Sequence, residues 1–362
     1  MNEKNKNITI VLLFMTIFIG LFFVNVFTKD NEISESERRR LTQFPELSWA
    51  RILNSDFMDE FEEYVLDQFI FRDGFRRIKS RVEFNVFHKR DNNGLFVRGG
   101  HIFSQVYPLN EWSVRHITSR MNHVYDLYLQ NMNVYYTIIP DKNYFLPDNR
   151  FLKMDYNHLI NMMNTNLNRM EYIDIFNNLM LMDYYRTDLH WKQENLDLVL
   201  NTLANRIGFT LSTDYKTNYI HNFRGALYGQ LALPIELDTI VYLTNDITNQ
   251  ATVHNRATDE ITKVYDLTRA NGVDMYDIFL SGPVAFIDIH NPLANTDKEL
   301  VIFRDSFGSS IAPLMMRDYR KITLIDIRYI SINHIGNLIQ FNNQDVLFMY
   351  GTEIINNSRT IR

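Results

Sequence analysis

A serine that directly follows a strongly apolar run is the first candidate for chemistry in this sequence. Residues 300–310 read LVIFRDSFGSS, which predicts a buried strand, a tight polar turn holding Ser306, and the start of a helix. In a parallel sheet, ligands bind beyond the carboxyl ends of the strands, and the N-terminus of a following helix can stabilise a developing oxyanion. Ser306 therefore fits a nucleophile. The same pattern also fits a helix cap formed by Asp305 or Ser306.

An aspartate and a histidine elsewhere in the chain favour the nucleophile. Residues 184–191 read YYRTDLHW, with Asp188 and His190 two positions apart. In an extended segment, side chains at i and i+2 point the same way, so the carboxylate can accept a hydrogen bond from one ring nitrogen. The other nitrogen is then free to take a proton from a serine hydroxyl. Asp188, His190 and Ser306 together predict a catalytic triad.

A second pair with the same spacing competes for this role. Asp288 and His290 end an apolar run shortly before the serine strand, and Asn291 and Pro292 follow them. We interpret this pair as the end of a strand rather than as the working dyad. The two pairs could also be combined into a metal site, but no spacing here matches a helical His-x-x-x-His motif. We therefore predict that no metal is bound.

The elements around these residues predict an α/β fold. Four short apolar runs suit strands buried on both faces of a parallel sheet; they are 134–139, 300–303, 322–325 and 346–349. Helical periodicity appears before and between them, at 57–69, 75–87, 117–128, 309–316 and 330–340. Alternation of the two types predicts a mostly parallel sheet covered on both faces. The stretch from about 208 to 292 breaks this alternation, and we predict an irregular, partly β insertion packed over the sheet edge.

Composition narrows the chemistry. Hydrophobic residues make up 46% of the chain and charged residues 22%, which is ordinary for a globular protein. The net charge of −6 gives no basic surface for nucleic acid, so no nucleic-acid partner is expected. The chain has no cysteine, which excludes disulfides, thiolate nucleophiles and zinc thiolate sites. Oxygen and nitrogen nucleophiles remain.

The N-terminal segment predicts a membrane anchor. Residues 8–27 hold no charged residue and are long enough to cross the roughly 30 Å hydrocarbon core of a bilayer. No small-residue cleavage site is apparent, so we predict an uncleaved anchor. Lys4 and Lys6 favour a cytoplasmic tail over 1–7 and a translocated body, although the arginines at 38–40 oppose this orientation. The predicted organisation is a tail at 1–7, an anchor at 8–27, a stalk at 28–55 and a catalytic domain at 56–362.

Several motifs, taken together, resemble a known family. TDLHW at 187–191 and DSFG at 305–308 are preceded by SESERRRLTQFPELS, DEFEEYVLDQFIFRDGFR and IIPDKNYFLP. This combination resembles the bacterial DHHW family and is similar, more distantly, to the alginate O-acetyltransferases of the SGNH-hydrolase-like class. The likeness covers nearly all of the chain after the anchor. Leu189 stands where the family name has a histidine, between the two members of the dyad.

The resemblance implies a fold and roles for the triad. It implies an SGNH-like three-layer domain in which Ser306 is the nucleophile, His190 the base and Asp188 its orienting carboxylate. The order Asp, His, Ser is that of the alginate acetyltransferases. Arg304 replaces the glycine of the Gly-Asp-Ser turn of SGNH esterases, so the second oxyanion donor is left open.

Further residues are candidates for the oxyanion site or for substrate binding. They are Gly225, Asn356, Asn357, Arg304, Lys142, Tyr185 and Trp191. Each also fits an ordinary structural role: a loop glycine, surface asparagines, core aromatic residues, and a lysine that either binds a carboxylate or pairs within the fold.

The activity implied by the resemblance is acyl transfer. We expect acetyl groups to move onto or off hydroxyls of an exported polysaccharide or cell-wall polymer through an acyl-enzyme, without a cofactor. A membrane-bound O-acyltransferase is the expected partner and acyl donor. A polysaccharide O-acetylesterase would use the same residues, and a non-catalytic polysaccharide-binding or assembly protein is the rival from another class.

Overall fold

The protein divides into two compact units. A computed structural model describes residues 2–147 and 151–361, so Met1 and Arg362, at the ends of the predicted tail and domain, lie outside the described residues. One unit comprises Met1–Asn92 with Gly229–Pro234, and the other comprises Asn93–Tyr228 with Ile235–Arg362. The domain limits predicted from the sequence stay predictions.

The elements are numbered in chain order. The helices are α1 Glu3–Phe27, α2 Trp49–Leu53, α3 Asp56–Asp67, α4 Arg72–Asn85, α5 Glu111–Tyr128, α6 Tyr156–Asn166, α7 Asp197–Ile207, α8 Ala226–Leu231, α9 Asp246–Gln250, α10 Gly308–Ile311 and α11 Thr352–Asn356. The strands are β1 Ile33–Ser34, β2 Arg39–Arg40, β3 Leu95–Arg98, β4 His101–Ser104, β5 Val134–Ile139, β6 Glu171–Tyr172, β7 Lys216–Phe223, β8 Asp238–Thr244, β9 Thr252–Asn255, β10 Glu260–Lys263, β11 Phe286–His290, β12 Glu299–Arg304, β13 Lys321–Ile325 and β14 Asp345–Gly351.

The predicted mostly parallel sheet is confirmed, and it is larger than the sequence indicated. Its eight strands lie in the order β10-β9-β11-β13-β12-β14-β5-β6. Five neighbouring strands run parallel, namely β13, β12, β14, β5 and β6, and they include all four predicted apolar runs. Strands β11, β9 and β10 come from the predicted insertion and continue the sheet in antiparallel pairing. The insertion therefore extends the sheet at one edge, where we expected it only to pack over that edge.

Apolar side chains fill both faces of the sheet, as a three-layer fold requires. In β12, Leu300 and Ile302 join the core on one face, and Val301 and Phe303 join the core on the other. Helices α7 and α10 contribute to the first core, and α5 and α6 to the second. A continuous apolar run suits a strand buried on both faces, which is why the period-2 alternation is absent here.

Two predicted helices are shorter or tighter than expected. The helix predicted at 309–316 consists of α10 and a 3₁₀ turn at Ala312–Met315, because Pro313 has no N–H to continue the α-helical ladder. The helix predicted at 330–340 is a 3₁₀ segment at Ile332–Asn337. Gly336 and the asparagines around it have low helix propensity.

The N-terminal helix α1 is apolar along most of its length. Over its most apolar stretch the mean hydropathy reaches 2.7, and no part of that stretch is buried. It has the length and composition of a membrane anchor or a signal sequence. The anchor predicted at 8–27 lies wholly within it.

Candidate active site

Ser306 lies in a turn at the carboxyl end of β12, directly before α10. Asp305, which is buried, holds this turn: its Oδ1 accepts the Phe307 N–H at 3.0 Å and its Oδ2 accepts the Gly351 N–H at 2.7 Å. Burial raises the pKa of Asp305. Asp305 thus holds the turn, while Ser306 stays half-buried and its hydroxyl is directed at another partner.

That partner is His190. Ser306 Oγ lies 2.7 Å from His190 Nε2, and His190 Nδ1 lies 2.6 Å from Asp188 Oδ1. With the ring proton on Nδ1, Ser306 donates to Nε2 and the ring donates to the carboxylate. Asp188 is fully buried and His190 is 7% exposed. The three side chains predicted as a triad therefore form one hydrogen-bonded chain, with the serine at its exposed end.

The Asp188 carboxylate is held by backbone donors as well. Its Oδ1 accepts the His190 N–H at 3.1 Å, and its Oδ2 accepts the Ala226 N–H at 2.7 Å. We expected an extended segment here, but the backbone at 186–190 is a bend in which the carboxylate turns back onto the amide two residues later. The side chains of Asp188 and His190 still meet, by this local turn rather than by strand geometry.

Two charged side chains, Lys142 and Asp238, hold the backbone of the bend at 186–190 by hydrogen bonds. Lys142 Nζ donates to the backbone oxygens of Asp188, at 2.8 Å, and Tyr185, at 3.2 Å. Asp238 accepts the backbone N–H groups of Arg186 and Thr187 and the Thr187 hydroxyl. Lys142 thus positions the bend that carries the dyad. The pKa of Lys142 falls to about 8 because burial disfavours its charge.

Gly225 permits close approach to the same bend. A Cβ at this position would lie 2.4 Å from Asp188 Cβ and from the backbone oxygen of Thr187, so only glycine lets residue 226 reach the carboxylate. The Gly225 N–H donates to the Thr187 hydroxyl at 3.0 Å. This N–H is thus already hydrogen-bonded within the fold, and the oxyanion role of Gly225 stays a prediction.

Four other predicted binding residues are buried or hydrogen-bonded within the fold. Trp191, Tyr185 and Arg304 are fully buried, and Trp191 donates its indole N–H to Ser310 Oγ at 2.9 Å. Asn356 accepts the Asn110 N–H and donates to the Pro108 oxygen. The binding roles of these four residues stay predictions. Because Lys142 is also buried, it supports the bend rather than facing a ligand. Asn357 is exposed, and its predicted role stays a prediction.

The competing pair lies at the opposite end of the sheet. His290 pairs with Lys321, which is level with Glu299 at the start of β12. Ser306 follows the end of β12, so at about 3.3 Å per residue the two sites are separated by roughly the length of that strand. Asp288 accepts a hydrogen bond from Thr323. This pair is not the dyad at Ser306.

Tyr276 is a site residue that the sequence did not reveal. Its ring stacks on His190, with centroids 3.9 Å apart and planes 9° from parallel, and its hydroxyl donates to Ser310 Oγ at 2.8 Å. The residue lies in a short 3₁₀ turn, Met275–Ile278, within the predicted insertion. Burial raises the pKa of Tyr276 well above its ordinary value, so the ring stays neutral beside the histidine.

Glu353 is a further titratable residue near the site. The pKa of Glu353 is raised to about 7. Burial is the largest cause, the charge of Asp141 adds to it, and Lys142 acts in the opposite direction. Glu353 lies in the first turn of α11 after β14, at the same end of the sheet as Ser306.

Within residues 2–147 and 151–361, no group of three or more His, Asp or Glu side chains is arranged to hold a metal ion.

Comparison with known proteins finds similarity of fold. No family model matches the chain, and no curated protein matches it. Among solved structures, the crystal structure of a DHHW family protein from Eubacterium siraeum aligns with a TM-score of 0.61 and 22% identity, over 75% of this chain and 95% of that one. The chain has the fold of a DHHW family protein.

Three further structures extend the comparison. Bacillus cereus PatB1 aligns with a TM-score of 0.57 and 15% identity, over 73% of this chain and 97% of that one. PatB1 with a sulfonyl adduct gives a TM-score of 0.58 at the same identity, over 72% of this chain and 95% of that one. The O-acetyltransferase domain of Pseudomonas putida AlgJ gives 0.44 at 11% identity, over 73% and 93%, which is too distant to support a conclusion. The resemblance predicted from the sequence is confirmed as a likeness of fold.

Proposed function

We propose that this chain is an acyltransferase, with acetyl as its acyl group, that modifies hydroxyls of an exported polysaccharide or cell-wall polymer. One observation carries the proposal: a half-buried serine at the carboxyl end of a parallel strand is hydrogen-bonded at 2.7 Å to a histidine that a buried carboxylate orients. This is the arrangement that activates a serine hydroxyl for acyl transfer. The fold shared with a DHHW family protein agrees with it.

The reaction follows from these contacts. Ser306 Oγ attacks the acyl carbonyl carbon while His190 Nε2 takes the hydroxyl proton, and Asp188 stabilises the imidazolium. The leaving group of the donor departs with that proton, and the acyl group stays on Ser306 as an ester. A polymer hydroxyl then gives its proton to Nε2 and attacks the ester carbonyl; the bond to Ser306 Oγ breaks, and Nε2 returns the proton to that oxygen, which restores Ser306. Tyr276 covers one face of the imidazole and keeps it in plane with both partners.

The setting of the reaction is part of the proposal. Helix α1 would hold the catalytic domain at the outer face of the membrane, where a polymer leaves its synthase. A membrane-bound O-acyltransferase would supply the acyl group from inside the cell. Hydrolysis of polymer acetate is the alternative, since water can attack the same ester.

The proposal is tested on the polymer itself. Cells carrying the wild-type protein are compared with cells carrying Ser306→Ala at equal abundance, and the acetyl content of the exported polymer is measured. We expect acetyl content to fall to that of a deletion strain. Equal acetyl in both strains would reject polymer acylation by this site, and extra acetyl in the variant would identify an esterase.

Removing the Lys142 amine is expected to lower kcat by about 10²-fold with little change in KM. The bend that carries Asp188 and His190 loses the two hydrogen bonds from Lys142, and a displacement of about 1 Å at the reacting groups costs about 10²-fold in rate. Lys142→Met is assayed by hydrolysis of p-nitrophenyl acetate. Lys153→Met is the matched control, because Lys153 also bridges two backbone oxygens, those of Tyr144 and Leu146. Equal kcat in the two variants would show that Lys142 does not position the dyad.

A further inference from the structure

Helix α4 carries an apolar stripe that its own unit leaves uncovered. The stripe is defined by Phe75, Ile78 and Val82 within the helix, together with Phe71 directly before it and Val86 directly after it. Phe71 is 70% exposed, Phe75 50% and Ile78 59%, and Val82 is half-buried. Such a row of large apolar groups along one helix face marks an interaction surface.

The other face of α4 is the one packed against its unit. Arg76 donates to the backbone oxygens of Gly229 and Gln230, both at 3.0 Å, and buried Ser80 donates to the backbone oxygen of Leu231. Arg76 also pairs with Glu37 at 3.3 Å. These contacts fix the rotation of α4 about its axis. The stripe is therefore held outward and is not free to turn inward.

The start of this helix is tied to the end of the apolar helix α1. The Ile70 N–H donates to Asn25 Oδ1 at 2.9 Å, and Asn25 lies in the last turn of α1. Gln68 exchanges hydrogen bonds with the backbone of Asn31, and Tyr64 donates to Asp30 at 3.1 Å. If α1 spans a bilayer, its apolar run ends near Phe27 at the boundary between hydrocarbon and headgroups. The turn before α4 then lies at that boundary.

The charges beside the stripe suit a lipid surface. Lys79 and Arg81 flank the stripe on its two sides, and both are exposed. A helix that lies in the membrane interface combines an apolar face buried to headgroup depth with cations that meet anionic headgroups. Helix α4 shows this pattern: it has an apolar stripe with cations on both sides, and its start is attached to α1.

We propose that α4 lies in the interface of the bilayer that α1 spans, with its stripe below the headgroups and Lys79 and Arg81 among them. The helix would act as a second membrane contact for the N-terminal unit, beside the anchor. The proposal depends on α1 remaining in the membrane and is independent of the chemistry at Ser306.

The absence of cysteine allows a direct test on the full-length protein. Single-cysteine variants are labelled with a nitrobenzoxadiazole probe and placed in nanodiscs of phosphatidylcholine and phosphatidylglycerol, with and without nitroxide-bearing lipid. The test positions are Phe75→Cys and Ile78→Cys. The controls are Arg77→Cys, on another face of the same helix, and Leu198→Cys, an equally exposed apolar residue in the other unit. Phe18→Cys, within α1, reports insertion of the anchor.

We expect the labels at 75 and 78 to emit at shorter wavelength and to lose most of their fluorescence when the lipid carries nitroxide. The labels at 77 and 198 should stay in water and unquenched. Provided that the label at 18 is quenched, unquenched labels at 75 and 78 overturn the proposal. A shift to shorter wavelength without quenching by lipid would also overturn it, because a second copy of the chain would then cover the stripe.

Discussion

Replacing Ser306 with alanine is expected to lower the hydrolysis of p-nitrophenyl acetate by about 10³-fold or more, to the rate that remains when a triad nucleophile is lost. The hydroxyl is half-buried and donates to His190 at 2.7 Å, so the variant removes the only atom in the triad that can carry the acyl group. The fold should be unaffected, because the turn is held by Asp305 and not by the serine.

A matched variant controls for the loss of a hydroxyl in the same helix. Ser309 is buried in α10, three positions after Ser306, and Ser309→Ala should keep the wild-type rate within about threefold, as expected for a small change away from the reacting atoms. Equal rates in the Ser306 and Ser309 variants would reject the nucleophile assignment.

A covalent probe gives a second readout of the same assignment. A sulfonyl fluoride should form an oxygen–sulfur bond at Ser306 with loss of fluoride, the hydroxyl proton passing to His190. The adduct is located by mass spectrometry of peptides from the labelled protein. Ser306→Ala should not be labelled, and an adduct on another residue would contradict the assignment.

The sheet was predictable where the chain repeats a simple pattern. The runs at 300–303, 322–325 and 346–349 are too apolar and too short for surface helices, and a strand buried on both faces is the structure that satisfies them. The turn after β12 was also visible in the sequence, because Asp305, Ser306 and Gly308 are turn-forming residues. A Cβ at 308 would lie 2.8 Å from Arg304 Cβ, which explains why glycine begins α10.

The parts that the sequence did not predict depend on contacts between distant segments. Strands β9 and β10 are short and carry mixed polar residues, so only their pairing with β11 shows that they extend the sheet. Tyr276 reaches His190 across the fold without a motif to mark it. Lys142 is a candidate from the sequence, but the sequence around it does not distinguish a lysine that binds a ligand from one that donates to two backbone oxygens. Burial of its amine is what distinguishes them.

Replacing Asp188 with asparagine is expected to lower kcat for the same ester by about 10⁴-fold while the fold is kept. The carboxylate accepts hydrogen bonds at both oxygens: Oδ1 from the His190 ring and backbone N–H, and Oδ2 from the Ala226 N–H. An amide has one oxygen. Whichever way the amide turns, its NH₂ group faces an N–H donor that had bonded to the carboxylate, either that of Ala226 or that of the His190 ring. A buried donor left without an acceptor costs about 1–3 kcal/mol.

The loss of activity follows from the tautomer of the histidine. If the amide oxygen turns to Ala226, its NH₂ group meets Nδ1, which must then give up its proton; the proton moves to Nε2, and the ring can no longer accept the Ser306 proton. Nitrogen NMR of the His190 ring should show this change of tautomer.

Asp288→Asn makes the same substitution at the competing pair. There the Asp288 carboxylate accepts a hydrogen bond from Thr323, and an amide oxygen can accept the same bond. That variant should keep kcat within about threefold, since its site is remote from Ser306. If Asp188→Asn stays within tenfold of the wild-type rate, the carboxylate does not orient the base, and a loss in Asp288→Asn instead would place the working dyad at the other end of the sheet.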